Sequence, residues 1–205
     1  MQEINSYIKI LNIYKKLLIG YHFGKFDCDD VQKLYIDYLK EYIKLGTNKP
    51  TYLGDINNYK NCNCYCYALG MNCPILFSYI YYDIEIEPFI HNGGFLNFRS
   101  YTNKKEEMIK NIYDDFDVLG IEAYDSSIDE EIKHNGYKIA LYIASYDFHV
   151  ARENIDGSWS EKLGYSDKIV KIKNPYDTRV GFYNNTTKDY KLDRILEIVK
   201  PTIKK

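Results

Sequence analysis

Four thiols fall within a dozen residues of this 205-residue chain, at Cys62, Cys64, Cys66 and Cys73, with a fifth, Cys28, well upstream. Three chemistries could use such a cluster. A disulfide framework fits poorly, because the count is odd and the N-terminus lacks the features of a secretion signal. A zinc site is the second option, since tetrahedral thiolate cages hold that ion well. Structural zinc sites usually draw paired C-x₂₋₄-C knuckles from separate chain segments, which the local Cys-x-Cys-x-Cys run does not supply. The third option is a nucleophile. Asn61 and Asn63 are good helix N-caps, so Cys64 is expected in the first turn of a helix. Unpaired N–H groups and the positive dipole end there favour a thiolate, and the same N–H groups can meet a developing oxyanion. The ordinary alternative is a small buried apolar residue, the commonest fate of a free cysteine. Cys62 precedes the expected helix start and Cys66 points around the helix, so Cys64 is the nucleophile candidate.

A thiol nucleophile needs a base. His149 lies within Asp147-Phe148-His149-Val150-Ala151, a segment with strand character. Alternation sets Phe148 and Val150 on one face and His149 with Asp147 and Ala151 on the other. His22, His91 and His134 sit in apparent loops. A third polar group commonly accepts the remaining imidazole N–H and orients the ring. Asn174, after the following strand, is the best-placed candidate, with Asp167 and Asp177 as rivals that the sequence does not separate.

The order helix-borne Cys, strand-borne His, then a polar residue beyond a later strand resembles the papain-like superfamily of cysteine peptidases and amidases. The likeness is to its small members, such as the CHAP-type cell-wall amidases and related effector hydrolases. It rests on NCYCYALG at residues 63–70 and on DFHVARENIDGSWSEKLG at 147–164, and it covers roughly residues 60–185. The resemblance implies a papain-like core with Cys64 as nucleophile, His149 as base and Asn174 as orienting residue by its place in Ile-Lys-Asn-Pro. It implies hydrolysis of a peptide or protein amide through a thioester, with no cofactor and no metal. Two alternatives stand beside it. One is a non-enzymatic interaction or effector module that retains the fold; the other is a zinc domain built on the Cys62–Cys73 cluster.

The surrounding elements must position these groups. Ile4, Ile8, Leu11, Tyr14 and Leu18 recur at helical spacing, ended by Gly20 and Gly24, and Val31 through Ile43 repeat the pattern after Asp29-Asp30. These two helices are expected as an N-terminal extension or cap over 1–50, ahead of the catalytic domain over 51–205, the whole forming one compact unit. Residues 75–90 suggest a strand, and Thr102 is expected to cap a helix running through Met108, Ile112 and Phe116 to Gly120. From Tyr137 onward alternation predicts strands, with a hairpin turn at Asp156-Gly157 and Trp159 packing on the return strand. Ile169–Lys173 and a segment from Gly181 to Tyr183 are further strand candidates, and Tyr190–Lys205 reads as helical or extended. The fold class is α+β: a Cys-bearing helix packed on an antiparallel meander, with helices segregated to one side.

Composition narrows the partners. Hydrophobic residues make up 45% and charged residues 27%, with a formal net charge of -2. No basic excess exists to neutralise phosphates, so nucleic acid is not an expected partner. No apolar run approaches the ~20 residues that span a bilayer. The expected setting is a cytosol, that of a host cell if the chain is viral. The 23 Tyr come with abundant Asn, Ile and Lys, a bias that AT-rich codons explain more simply than an aromatic binding surface does.

Overall fold

The computed structural model describes residues 2–22, 28–52, 63–71, 105–144, 147–163, 168–176 and 190–203. Four helices and six strands fall among them: α1 (Gln2–His22), α2 (Cys28–Ile43), α3 (Cys64–Ala68), α4 (Lys105–Leu119), β1 (Glu122–Ser126), β2 (Tyr137–Ala144), β3 (Asp147–Glu153), β4 (Trp159–Lys162), β5 (Ile169–Ile172) and β6 (Lys191–Val199). The expected strand at 75–90, the Thr102 cap and the strand from Gly181 lie outside the described residues.

The strands form one antiparallel sheet in the order β1-β6-β2-β3-β4-β5. The expected meander holds from β2 to β5. It is interrupted by β6, which inserts between β1 and β2 and makes the ambiguous C-terminal segment a central strand. β1 had no counterpart in the sequence reading, because Glu122-Ala123-Tyr124-Asp125-Ser126 carries little apolar alternation and lies at the sheet edge. Between β2 and β6 the register slips after Leu141, so Leu141 pairs with Arg194 and Tyr142 with Leu192. The extra residue, Asp193, is held by Lys105 Nζ at 2.5 Å and Arg194 Nε at 2.7 Å. Such bulges re-aim neighbouring side chains, and Tyr142 is the partner of His149 on the other side.

Strict alternation along β2 divides the core. Tyr137, Ile139, Leu141 and Ile143 join Phe148 and Val150 of β3 on the face covered by the helices. Ala140 and Tyr142 join Ala151, Trp159, Tyr190 and Ile195 in a second cluster. Each fully buried large apolar side chain contributes about 1.5–3 kcal/mol, so the first cluster dominates stability. Tyr38, Leu39 and Ile43 of α2 belong to it together with Phe116 of α4 and Leu196 of β6. The described parts of 1–50 and 51–205 both contribute side chains to this cluster.

α1 differs from its expected face. Ile4, Ile8 and Leu11 are exposed, while Ser6 and Ile10 are buried and Ile13 packs against the core. The helix is apolar on two sides, so spacing alone did not determine which side docks. The docking is set by Glu41 of α2, which accepts from Ser6 Oγ at 3.3 Å and pairs with Lys9 at 3.6 Å and Lys44 at 2.9 Å. At the β3–β4 hairpin, Gly157 takes φ 76° and donates to the Asn154 carbonyl, and Asn154 N–H reaches the Ser158 carbonyl at 2.7 Å. This is the three-residue loop with a left-handed third position, which favours glycine.

Candidate active site

A helix as short as α3 is not stable in isolation, so its two ends and its one face must be fixed by the rest of the chain. At its start Asn63 is extended (φ -87°, ψ -174°), and its Oδ1 accepts from Cys66 N–H at 3.0 Å. At its end Gly70 takes φ 66°, Gly70 N–H meets the Tyr67 carbonyl and Met71 N–H meets the Cys66 carbonyl. That paired closure is the Schellman motif, and it needs the left-handed residue that Gly70 supplies. Between the ends every residue from Cys64 to Ala68 is buried. Tyr65 donates to Asp115 of α4 at 3.1 Å and meets the Phe148 ring edge-on at 5.8 Å. Burial, then the Asp115 charge, pushes the Tyr65 phenol well above its ordinary range. Tyr67 shares a 2.7 Å hydrogen bond with Ser160 of β4 and lies 4.0 Å beneath the Arg152 guanidinium. The start of α3 is thereby set against the β3 segment that carries His149.

His149 is 3% exposed and stands on the face opposite Phe148 and Val150. Tyr142 and Tyr190 wall its ring, with centroids at 6.2 and 5.8 Å. Its Nε2 lies 2.6 Å from Glu161 Oε2, and both side chains are buried. The Cys64 thiol is another titratable group near the imidazole, close enough for its charge to act on the ring. With Nε2 committed to the carboxylate, Nδ1 is the nitrogen left for the thiol. Burial alone would drive the imidazolium pKa down; the charge of Cys64, then the hydrogen bond and charge of Glu161, outweigh it and raise the value to about 10. The arrangement gathers thiol, imidazole and carboxylate in a buried setting, a combination whose groups are able to exchange protons.

Cys64 and His149 are thus brought together. Asn174 is not part of the group. Its exposed side chain accepts from Tyr176 N–H at 2.8 Å, closing its own turn. The loop itself does come close: Tyr142 donates to the Pro175 carbonyl at 2.6 Å. Asn174 prefers its local backbone partner because an Asx turn forms at once from residues two apart. The buried carboxylate in contact with the imidazole is Glu161, which carries no local signature of its own in the sequence. The signal was present in the hairpin. A three-residue loop after Asn154 sets Ala151 opposite Glu161, and alternation then places Glu161 and His149 on one face as diagonal neighbours. Asp167 and Asp177 lie outside the described residues.

Cys66 belongs to the main buried cluster, whereas Cys64 is buried outside it and lies near His149. Both are free. Cys62, Cys73 and His91 lie outside the described residues. His22 ends α1 rather than sitting in a loop, and His134 stacks on Tyr124 at 3.8 Å. Among the described residues no three or more His, Cys, Asp or Glu side chains are gathered for a metal ion, and no helix is long and apolar enough to cross a membrane. No family model matches this chain, and no curated protein or solved structure shows significant similarity to it.

Proposed function

We propose that the chain is a cysteine-dependent hydrolase of papain-like type, acting on amide bonds of peptides or proteins. One observation carries the reading: a buried imidazole bonded to a buried carboxylate and lying close to the thiol at a helix start. A structural histidine needs neither partner in this order, whereas covalent catalysis needs both. Cys64 thiolate attacks the carbonyl carbon, and the N–H groups of the first α3 turn stabilise the oxyanion. The intermediate collapses to a thioester as imidazolium His149 gives its proton to the departing amine. Neutral His149 then takes a proton from water, whose oxygen attacks the thioester. Collapse breaks the C–S bond, releasing the acid and the Cys64 thiolate, and the proton taken from water stays on His149 to restore the thiolate–imidazolium pair. Glu161 keeps the ring in place and favours its charged form throughout.

Iodoacetamide labelling with peptide mapping tests this directly. Cys64 should alkylate at least about tenfold faster than Cys28 at neutral pH, and His149→Ala should remove about a hundredfold of that rate. Equal rates at Cys64 and Cys28 in the intact protein would overturn the proposal. A positive result is followed by fluorogenic peptide amides, with Cys64→Ala as the inactive control.

A further inference from the structure

The last two carbonyls of α3 and that of its C-cap, Leu69, each receive a donor from a different strand or from the chain beyond the sheet. Arg152 Nη1 of β3 reaches the Tyr67 carbonyl at 2.9 Å, Tyr137 Oη of β2 reaches Ala68 at 2.8 Å, and Lys200 Nζ after β6 reaches Leu69 at 2.9 Å. Lys200 is the unexpected member. It is 3% exposed, and among the described residues no carboxylate pairs with it. Its surroundings are the Leu69 carbonyl, the Tyr137 ring at 5.3 Å, the Arg152 guanidinium and the loop after α2. A second cation beside Arg152 in a dry site is a costly way to satisfy one carbonyl. A neutral donor or a water would serve stability better.

The chain nevertheless prepares a slot for this ammonium. A Cβ on Gly46 would lie 2.7 Å from Nζ, and one on Gly70 2.9 Å. The root of the side chain is fixed as well: Lys200 N–H donates to Asn48 Oδ1 at 2.9 Å, and Asn48 Nδ2 donates to the Lys200 carbonyl at 3.0 Å. Lys200 therefore reaches α3 from a backbone pinned on both sides. α3 rises about 1.5 Å per residue, so the end that Lys200 holds is only a turn and a half from Cys64. A rod this short transmits displacement from one end to the other.

We propose that Lys200 is a positioning residue for Cys64: with Arg152 and Tyr137 it grips the C-terminal carbonyls of α3 and fixes where the thiol meets His149. The inference rests on the thiol–imidazole reading above for its functional meaning, but its geometry can be tested alone. Burial, and then the Arg152 charge, lower the Lys200 pKa to about 7, so the grip weakens as neutral pH is passed.

The test uses the full chain with Lys200→Met, which keeps the stem and removes the charge and donor, and Gly46→Ala, which crowds Nζ without touching α3. Two readouts are taken: the Cys64 alkylation rate across the neutral range, and the His149 ring nitrogens by ¹⁵N NMR. Lys200→Met should slow Cys64 alkylation about tenfold and lower the His149 pKa from about 10. Gly46→Ala should shift both in the same direction by less. Wild type should lose relative rate as pH passes about 7, a bend that Lys200→Met lacks. An unchanged His149 titration in both variants would overturn the proposal. The NMR readout decides this even if Cys64 proves no more reactive than Cys28, an outcome that would defeat the hydrolase reading instead. Should Lys200→Met not fold, Gly46→Ala decides alone.

Discussion

At the start of α3 the buried cation is His149, bracketed by the Cys64 thiol and the Glu161 carboxylate; at its end the buried cation is Lys200, which meets a carbonyl, an aromatic face and another cation. Both side chains are 3% exposed, so burial penalises charge on each. The outcome differs because the partners differ. A formal negative charge at hydrogen-bond distance outweighs desolvation, and His149 stays charged up to about pH 10. Dipoles alone do not, and Lys200 is brought down to about 7. One end of the helix is held in a charged state, and the other sits at a threshold.

Removing Glu161 should break that contrast most severely. Glu161→Ala strands the imidazolium in the interior, and loss of one partner of a buried pair costs about 3–5 kcal/mol. Chemical denaturation at neutral pH should show it. Glu161→Gln keeps the shape and hydrogen bonding of the site without the charge. It should fold, with the His149 pKa falling from about 10 and the Cys64 alkylation rate falling with it. A His149 titration unmoved by Glu161→Gln would mean that the carboxylate has no hold on the ring.

The pH dependence of stability sharpens the comparison. His149 has a folded pKa of about 10, raised from an ordinary 6.5. Its stabilisation is complete below the ordinary value and is lost as pH rises through about 10. Lys200 runs the other way. Its charge destabilises the fold fully below about 7, and the burden lifts as pH climbs from there toward 10.5. Over the shared window the two slopes oppose, so wild-type stability should be nearly flat. Lys200→Met should become less stable as pH rises through that window, and His149→Gln more stable, each by a few kcal/mol. Denaturant midpoints across neutral to alkaline pH measure both. Parallel slopes in the two variants would show that the ends of α3 are not distinguished in this way.

The same difference explains what could be read from sequence. Cys64 and His149 were legible because each has a local signature: an asparagine cap for one, an alternating strand for the other. The α2 face and the strands β2 to β5 were legible for the same reason. Glu161 was not, because its role exists only once the hairpin register sets it diagonal to His149. Lys200 was even less visible. It gains its role when β6 enters the middle of the sheet and delivers the residue after it to α3. The α1 face differs from the expected one because two apolar stripes compete along that helix, and Ser6 and Lys9 meet Glu41 on the side that docks. Local pattern revealed the thiol and the imidazole, and long-range pairing supplied the groups packed against them.

Two asparagines give the smallest and most selective test of that division. Asn63 caps α3 through a tertiary-buried 3.0 Å hydrogen bond, so Asn63→Ala should cost about 1 kcal/mol and shift the His149 titration by loosening the end where the thiol sits. Asn174 was the candidate third member of the group, but it is exposed and bonded to Tyr176 N–H. Asn174→Ala should change stability by no more than about 0.5 kcal/mol, because water can replace an exposed turn contact. It should leave both the His149 nitrogens and the Cys64 alkylation rate at wild-type values. If Asn174→Ala moves the imidazole titration as far as Glu161→Gln does, the loop that Tyr142 holds through Pro175 is itself part of the site, and Glu161 does not hold His149 alone.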